Sequence, residues 1–277
     1  MIIDVHVHTR SPGHRYQPDE IATSIRLARQ AGIDHVVQLH NLIGHPANDD
    51  GYTVLSPSPT VVQQSNNMAM QIVAEHPDFY SGFCYLNPAH EQRFILEEIE
   101  RCVVAGNLRG IKLWVAVRAT DARLDPLMER AAELAIPVLH HAWYKADGQV
   151  GNESTAAEVA DLARRHPRVS IIMAHLGGVR WRGVLDIRPN HNVLVDTSGS
   201  QPLSGLVEYA VAQLGAERVV FGSDWPLRSY TVQKARVSGA HISEREKACI
   251  LGENAARLLR LDTGGRIPVT AKDMQYA

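Results

Sequence analysis

The run IIDVHVH, residues 2–8, carries Asp4, His6 and His8 at alternate positions among apolar, β-branched neighbours. Read as a strand, it sends alternate side chains to opposite faces. Asp4, His6 and His8 then share one face and Ile3, Val5 and Val7 the other. Two imidazoles at i and i+2 on a rigid strand reach a single metal ion, and neutral imidazole is a common ligand for zinc-like ions. The same run also fits an exposed edge strand, although such an edge favours Thr, Lys or Glu. A metal centre needs further ligands from elsewhere in the chain.

Ligand-type residues recur where apolar runs stop. His140 and His141 end PVLHH, His175 ends IIMAH, and Asp224 ends VVFGSD. Lys112 lies inside GIKLW, and a polar group within a buried strand is costly unless it is paired or ligating. Alternation lets only one of the two adjacent histidines face inward; His141 is the predicted inward one, with His140 turned out against a helix. Each residue also has a plain structural role open to it. His140 or His141 fits a hydrogen-bonded core histidine, His175 a loop residue, Asp224 a turn cap and Lys112 a structural ion pair. Their joint occurrence at four strand ends favours chemistry.

Positioning these groups takes a repeating frame. Strands are predicted at 2–8, 34–39, 79–86, 109–115, 137–141, 169–175, 193–196 and 218–224. Helices are predicted at about 18–31, 60–76 with Thr60 as cap, 91–105, 124–135, 154–166 and 203–214, with a helical C-terminal region including 243–260. Gly177 and Gly178 are predicted to turn the chain. Several strands read as nearly continuous apolar runs, the pattern of fully buried parallel strands. Such alternation implies right-handed βαβ units. Eight of them close most simply into a (β/α)8 TIM barrel, an α/β fold; a doubly wound open sheet is the alternative. Barrel chemistry sits at the C-terminal ends of the strands, where the polar residues fall. Residues 1–261 are expected to form this single domain and 262–277 a polar tail.

Bulk composition narrows the classes. The 277 residues are 45% hydrophobic and 21% charged, an ordinary globular balance. A formal charge of -2 gives no long-range attraction to nucleic acid or a membrane surface. Cys84, Cys102 and Cys249 are odd in number and widely spaced, without a CxxC, which fits a reduced cytoplasmic interior. The first residues enter a strand without a basic or apolar leader, so no signal peptide is expected. No apolar run approaches the roughly 20 residues of a membrane span.

The ordered segments IIDVHVH, GIKLW, IPVLHHAW, IIMAHLGG, LVDTSG, VVFGSDWP and GENAARLL span nearly the whole chain. Together they resemble the amidohydrolase superfamily, in the amidohydrolase-2 branch that includes aminocarboxymuconate semialdehyde decarboxylase and related hydrolases and decarboxylases. The resemblance implies that His6, His8, His141 and Asp224 bind one divalent metal, most often Zn2+. It places His175 beside the metal, as acid/base or as ligand of a second ion that a carboxylated Lys112 would bridge. It further implies a metal-activated water that Asp224 orients and deprotonates, while His175 polarises a carbonyl or protonates a leaving group. The expected activity is hydrolysis of an amide, lactone or ester in a small, carboxylate-bearing substrate; non-oxidative decarboxylation is the alternative. A barrel that binds metal without turnover is a third class, disfavoured because the full ligand set is kept.

Substrate contacts are expected from rim loops. These carry Arg10, His14 and Arg15, Asn41 and His45, Trp114 and Arg118, Trp143 and Tyr144, and Arg180 and Trp181. Arg10, Trp114, Trp143 and Arg180 are the leading candidates, because arginines pair bidentately with carboxylates. A homodimer is compatible with the resemblance.

Overall fold

The computed structural model describes residues 1–9, 16–41, 55–147, 149–200 and 203–261, with the side chains of His40 and Asn41 left out. The expectations for Arg10, His14, Arg15, His45 and the tail 262–277 lie outside the described residues, as do those for the Asn41 side chain. Parallel strands follow in order: β1 (Ile3–Thr9), β2 (His35–Asn41), β3 (Tyr80–Gly82 and Cys84–Leu86, broken at Phe83), β4 (Ile111–Leu113), β5 (Val138–His140), β6 (Ile171–Met173), β7 (Val193–Asp196) and β8 (Val219–Val220). Backbone bonds close the ring: Val5 N donates to Phe221 O at 2.9 Å, Asp224 N to His6 O at 2.8 Å and His8 N to Trp225 O at 2.7 Å. The chain is a closed (β/α)8 barrel.

Helices cover the outside: α1 (Pro18–Gln30), α2 (Pro59–Glu75), α3 (Gln92–Ile99), α4 (Asp125–Leu134), α5 (Ala156–Arg165), α6 (Leu176–Ile187), α7 (Leu206–Leu214) and α8 (Tyr230–Ser238). Two short helices, α9 (Glu244–Ala248) and α10 (Asn254–Leu259), end the described chain. The cap of α2 is Ser58, whose Oγ accepts from Val61 N at 3.4 Å, rather than the predicted Thr60; Pro59 then takes the first helical position. The α5 cap is a full capping box between Thr155 and Glu158.

Two apolar clusters define inside and outside. Ile3, Val5, Val37, Leu39, Phe83, Leu139, Ile172 and Val220 pack with Ala255 and Leu259 of α10, filling one end of the lumen. Val36, Ile111, Leu113, Val138, Ile171, Val193 and Val195 pack outward against the helices. Parity along each strand then aims the polar residues. Lys112 lies between two outward residues and faces the lumen. His141 follows the inward Leu139 by two, while His140 turns outward. Asp196 follows the outward Val195 and faces in.

The first strand departs from simple alternation. Its register shifts between Asp4 and Val7 and again before Thr9. Val7 therefore packs in the outer cluster, apart from Ile3 and Val5. Asp4 Oδ1 accepts from His6 N at 3.0 Å and Ser223 N at 2.9 Å, pinning the irregular stretch to the loop after β8.

Buried histidines outside the site couple the fold to pH. Burial pushes His35 and His140 down to about 4, and His35 Nε2 meets Ser81 Oγ at 2.9 Å. An unfolded histidine titrates near 6.5. Below that pH the unfolded chain binds protons that the native state refuses, so stability is full above 6.5 and is lost as the pH falls toward 4. Urea unfolding of the metal-free protein is expected to show up to about 2 kcal/mol lost to His35 by pH 5. His35→Gln should lose correspondingly less between pH 7 and 5; an identical loss would show that His35 does not contribute.

Candidate metal centre

The lumen mouth gathers residues from β1, β5, β6, β7 and β8. His6 Nε2 lies 3.1 Å from His8 Nε2, and Asp224 Oδ1 lies 3.6 Å and 3.5 Å from those two nitrogens. These three offer ligand atoms within 4.8 Å of one another. Beside them His175 Nε2 lies 3.1 Å from His141 Nδ1, and the His175 and His6 rings sit 4.8 Å apart. All five residues are buried. His175 and Asp224 both hold left-handed backbone, φ 73° and 65°, as their strands turn away at the rim.

Partners behind the rings decide which nitrogens carry protons. His6 Nδ1 meets Asp196 Oδ2 at 2.7 Å. A carboxylate only accepts, so Nδ1 is protonated and Nε2 presents its lone pair to the centre. His141 Nε2 meets Glu153 Oε1 at 2.8 Å, which leaves Nδ1 as the lone pair. Ser198 Oγ contacts both Asp196 Oδ1 and His175 Nδ1. The hydroxyl donates to the carboxylate and accepts from His175 Nδ1, so His175 Nε2 is also a lone pair. His141 Nδ1 and His175 Nε2 thus face each other at 3.1 Å with no proton between them. Two such lone pairs repel, and a cation beside them removes the repulsion. The donor set, imidazole nitrogens with one carboxylate, suits a divalent transition metal.

Asp196 is not a free ligand, although its oxygen lies near His6 and His175. Its Oδ2 holds His6, and its Oδ1 accepts from His175 N at 3.0 Å, Ser198 N at 2.9 Å and the Ser198 hydroxyl. It acts as an orienting group.

Electrostatics agree with neutral rings. Burial drives His6 and His175 well below the ordinary histidine range and lowers His141. Burial opposes ionisation of Asp224, but the His8 hydrogen bond and the basic groups around it, the Lys112 ammonium among them, outweigh it and hold the carboxyl below its usual value. Lys112 is 1% exposed, and burial brings it to about 8. Among the described residues no carboxylate lies within ion-pair reach of its Nζ.

The other expected contacts separate. Trp143 is half-buried with its ring 5.0 Å from His175 and stacked at 20° on His141, 6.2 Å away. Trp114 is half-buried just past β4. Arg180 is exposed at a kink in α6, φ 58°. Gly177 and Gly178 do not form the expected turn; they open α6. They are needed for close approach, since a Cβ on Gly178 would lie 2.6 Å from Trp143 Cδ2 and one on Gly177 3.1 Å from the Gly199 carbonyl carbon.

Sequence reasoning passed over Asp196, Glu153 and Ser198 as site residues. Asp196 ends the apolar run VLV and carries the same signal that marked Asp224. Glu153 sits in an irregular loop whose pattern holds no such signal.

Known proteins bear on this site. The gamma-resorcylate decarboxylase of Rhodococcus jostii (strain RHA1) is 24% identical over 255 residues, 73% of this chain and 77% of that protein. A solved 2,6-dihydroxybenzoate decarboxylase, complexed with 2,6-dihydroxybenzoate, superposes with a TM-score of 0.73 at 19% identity, over 94% of this chain and 99% of that one. A dihydroxybenzoic acid decarboxylase from Polaromonas sp. JS666, solved with bound manganese and the inhibitor 2-nitroresorcinol, gives 0.72 at 19% identity over 99% of each chain. These names correct the expectation of a hydrolase acting on an amide, lactone or ester: the similar proteins are decarboxylases, so the main reading gives way to its alternative. The amidohydrolase family model matches residues 3–261. A catalytic barrel with this lumen and this match, the chain belongs to the amidohydrolase family.

Proposed function

We propose that the protein is a metal-dependent, non-oxidative decarboxylase of hydroxylated aromatic acids. The observation that carries this reading is the similarity, along 73% of the chain, to decarboxylases of dihydroxybenzoates. The unprotonated nitrogen pair at 3.1 Å supports the metal. His6, His8, His141 and Asp224 would hold one divalent ion, with His175 beside it; zinc is the first candidate and manganese the second. A second ion would draw on His175 and a carboxylated Lys112. When bound, the ion supplies Lewis-acid charge to the substrate's oxygens.

The chain's own groups manage the proton. Asp224, an ionised carboxylate at the mouth, accepts the proton of the hydroxyl ortho to the substrate carboxylate. It returns that proton to the ring carbon bearing the carboxylate. The carbon–carboxylate bond then breaks, its electron pair re-forms the aromatic ring, and CO2 leaves. The resulting phenoxide is protonated by solvent. His175 Nε2, with its other nitrogen tied to Ser198, accepts a hydrogen bond rather than giving one. The flat face of Trp143 supplies the wall against which an aromatic ring stacks, and Arg10, Trp114 and Arg180 are candidate outer contacts.

Incubation of the manganese- or zinc-loaded protein with 2,6-dihydroxybenzoate is expected to release CO2 and resorcinol. In D2O one deuterium should appear at the carbon that lost the carboxylate. A fully metal-loaded protein that leaves a panel of hydroxybenzoates unchanged would overturn the reading.

A further inference from the structure

The loop between β5 and α5 folds back on the site. Trp143 N donates to Ser154 O at 2.9 Å, and Gln149 Nε2 donates to Trp143 O at 3.1 Å. Inside this closed loop Glu153 is 2% exposed. Its carboxylate accepts from His141 Nε2 at 2.8 Å, from Lys145 Nζ at 3.0 Å and 2.8 Å on its two oxygens, and from Val150 N at 3.3 Å. Lys145 Nζ also lies 5.7 Å from the centre of the Trp143 ring. A circuit runs from His141 through Glu153 and Lys145 to Trp143, and the stacked rings close it.

A buried carboxylate is costly unless its charge is met. Here the Lys145 ammonium meets the charge, donating to both carboxylate oxygens of Glu153 at 3.0 Å and 2.8 Å, which keeps the group an acceptor. An ionised carboxylate cannot donate, which leaves the imidazole one choice. We propose that Glu153 is a positioning residue: it locks His141 as the Nε2–H tautomer, so that Nδ1 is the atom offered to the cation, and through Lys145 it fixes the Trp143 ring beside that atom. The inference rests on the reading that this lumen holds a divalent ion.

The alternative tautomer shows what Glu153 prevents. Without it, His141 can protonate Nδ1 and donate to His175 Nε2 at the present 3.1 Å. That bond would satisfy both nitrogens without a metal and would compete with it. Outer-sphere partners of metal-bound histidines are typically worth about 10–100-fold in affinity.

The test strips the metal and titrates Mn2+ against a fluorescent chelator, for wild type, Glu153→Gln and Glu153→Ala. Glu153→Ala is expected to bind about 10–100-fold more weakly. Glu153→Gln keeps an acceptor oxygen and should fall between. In parallel, 15N NMR of the metal-free proteins reads the His141 ring. Wild type should show Nδ1 unprotonated, and Glu153→Ala should show it protonated. Unchanged affinity with Nδ1 still unprotonated in both variants would overturn the role. If wild type itself takes up no metal, the metal reading fails, and the NMR comparison alone decides the positioning role. If Glu153→Ala does not fold, Glu153→Gln carries both measurements.

Discussion

Asp224→Asn is expected to lower the decarboxylation kcat by at least about 10^3-fold at saturating metal, within the range for losing a general acid–base group. The substitution is chosen because it isolates the carboxylate. Asp224 sits at φ 65°, and Asn tolerates this left-handed region at least as well as Asp, whereas most other side chains do not. The amide keeps the volume, and the backbone bonds from Asp224 N to His6 O and from Arg228 N to Asp224 O do not involve the side chain. What is lost is an oxygen that stays ionised beside His6 and His8. Saturating metal separates weaker ion binding from a failed proton transfer. A variant that turns over within threefold of wild type would remove Asp224 from the proton path.

Asp196→Asn should give the second largest effect, on metal affinity. Its Oδ2 requires His6 to carry its proton on Nδ1. An amide nitrogen at that position donates instead. His6 would then have to protonate Nε2, removing the lone pair that faces His8. The same residue anchors His175 N and Ser198, so the His175 tautomer loosens as well. Affinity for Mn2+ or Zn2+ should fall by about 10–100-fold in chelator competition, with the thermal transition of the metal-free protein still cooperative. Unchanged affinity would mean that His6 does not offer Nε2 to an ion.

The barrel was legible because parallel strands buried on both faces have no room for polar residues except at their ends and at special lumen positions. Apolar runs that stop at His141, His175 and Asp224 therefore marked the rim, and parity within β5 separated His141 from His140. Strand ends were less legible. The run to Asp224 is apolar, yet its ladder covers only Val219–Val220, because the chain leaves the sheet and turns left-handed at Asp224. The irregular stretch of β1 was hidden because its cause, a bond from Asp4 to Ser223 N, joins residues 219 apart. Gly177 and Gly178 read as a turn from local propensity, whereas close approach to Trp143 and Gly199 requires them at the start of a helix. Glu153 was invisible for the same reason as Ser223: its meaning lies in a contact, not in a pattern. The chemistry was the least legible part. The residues that surround an ion do not differ between attack on a carbonyl and loss of CO2, so the reaction class came from the similar proteins.

Metal content of the protein is the most direct measurement of the central claim. Stripped protein titrated with Zn2+ or Mn2+, then desalted and analysed by mass spectrometry of the elements, should retain one ion per chain, and His6→Ala should retain none. A wild-type protein that keeps no divalent ion would contradict the account, because the facing nitrogens of His141 and His175 would then need some other means of relief.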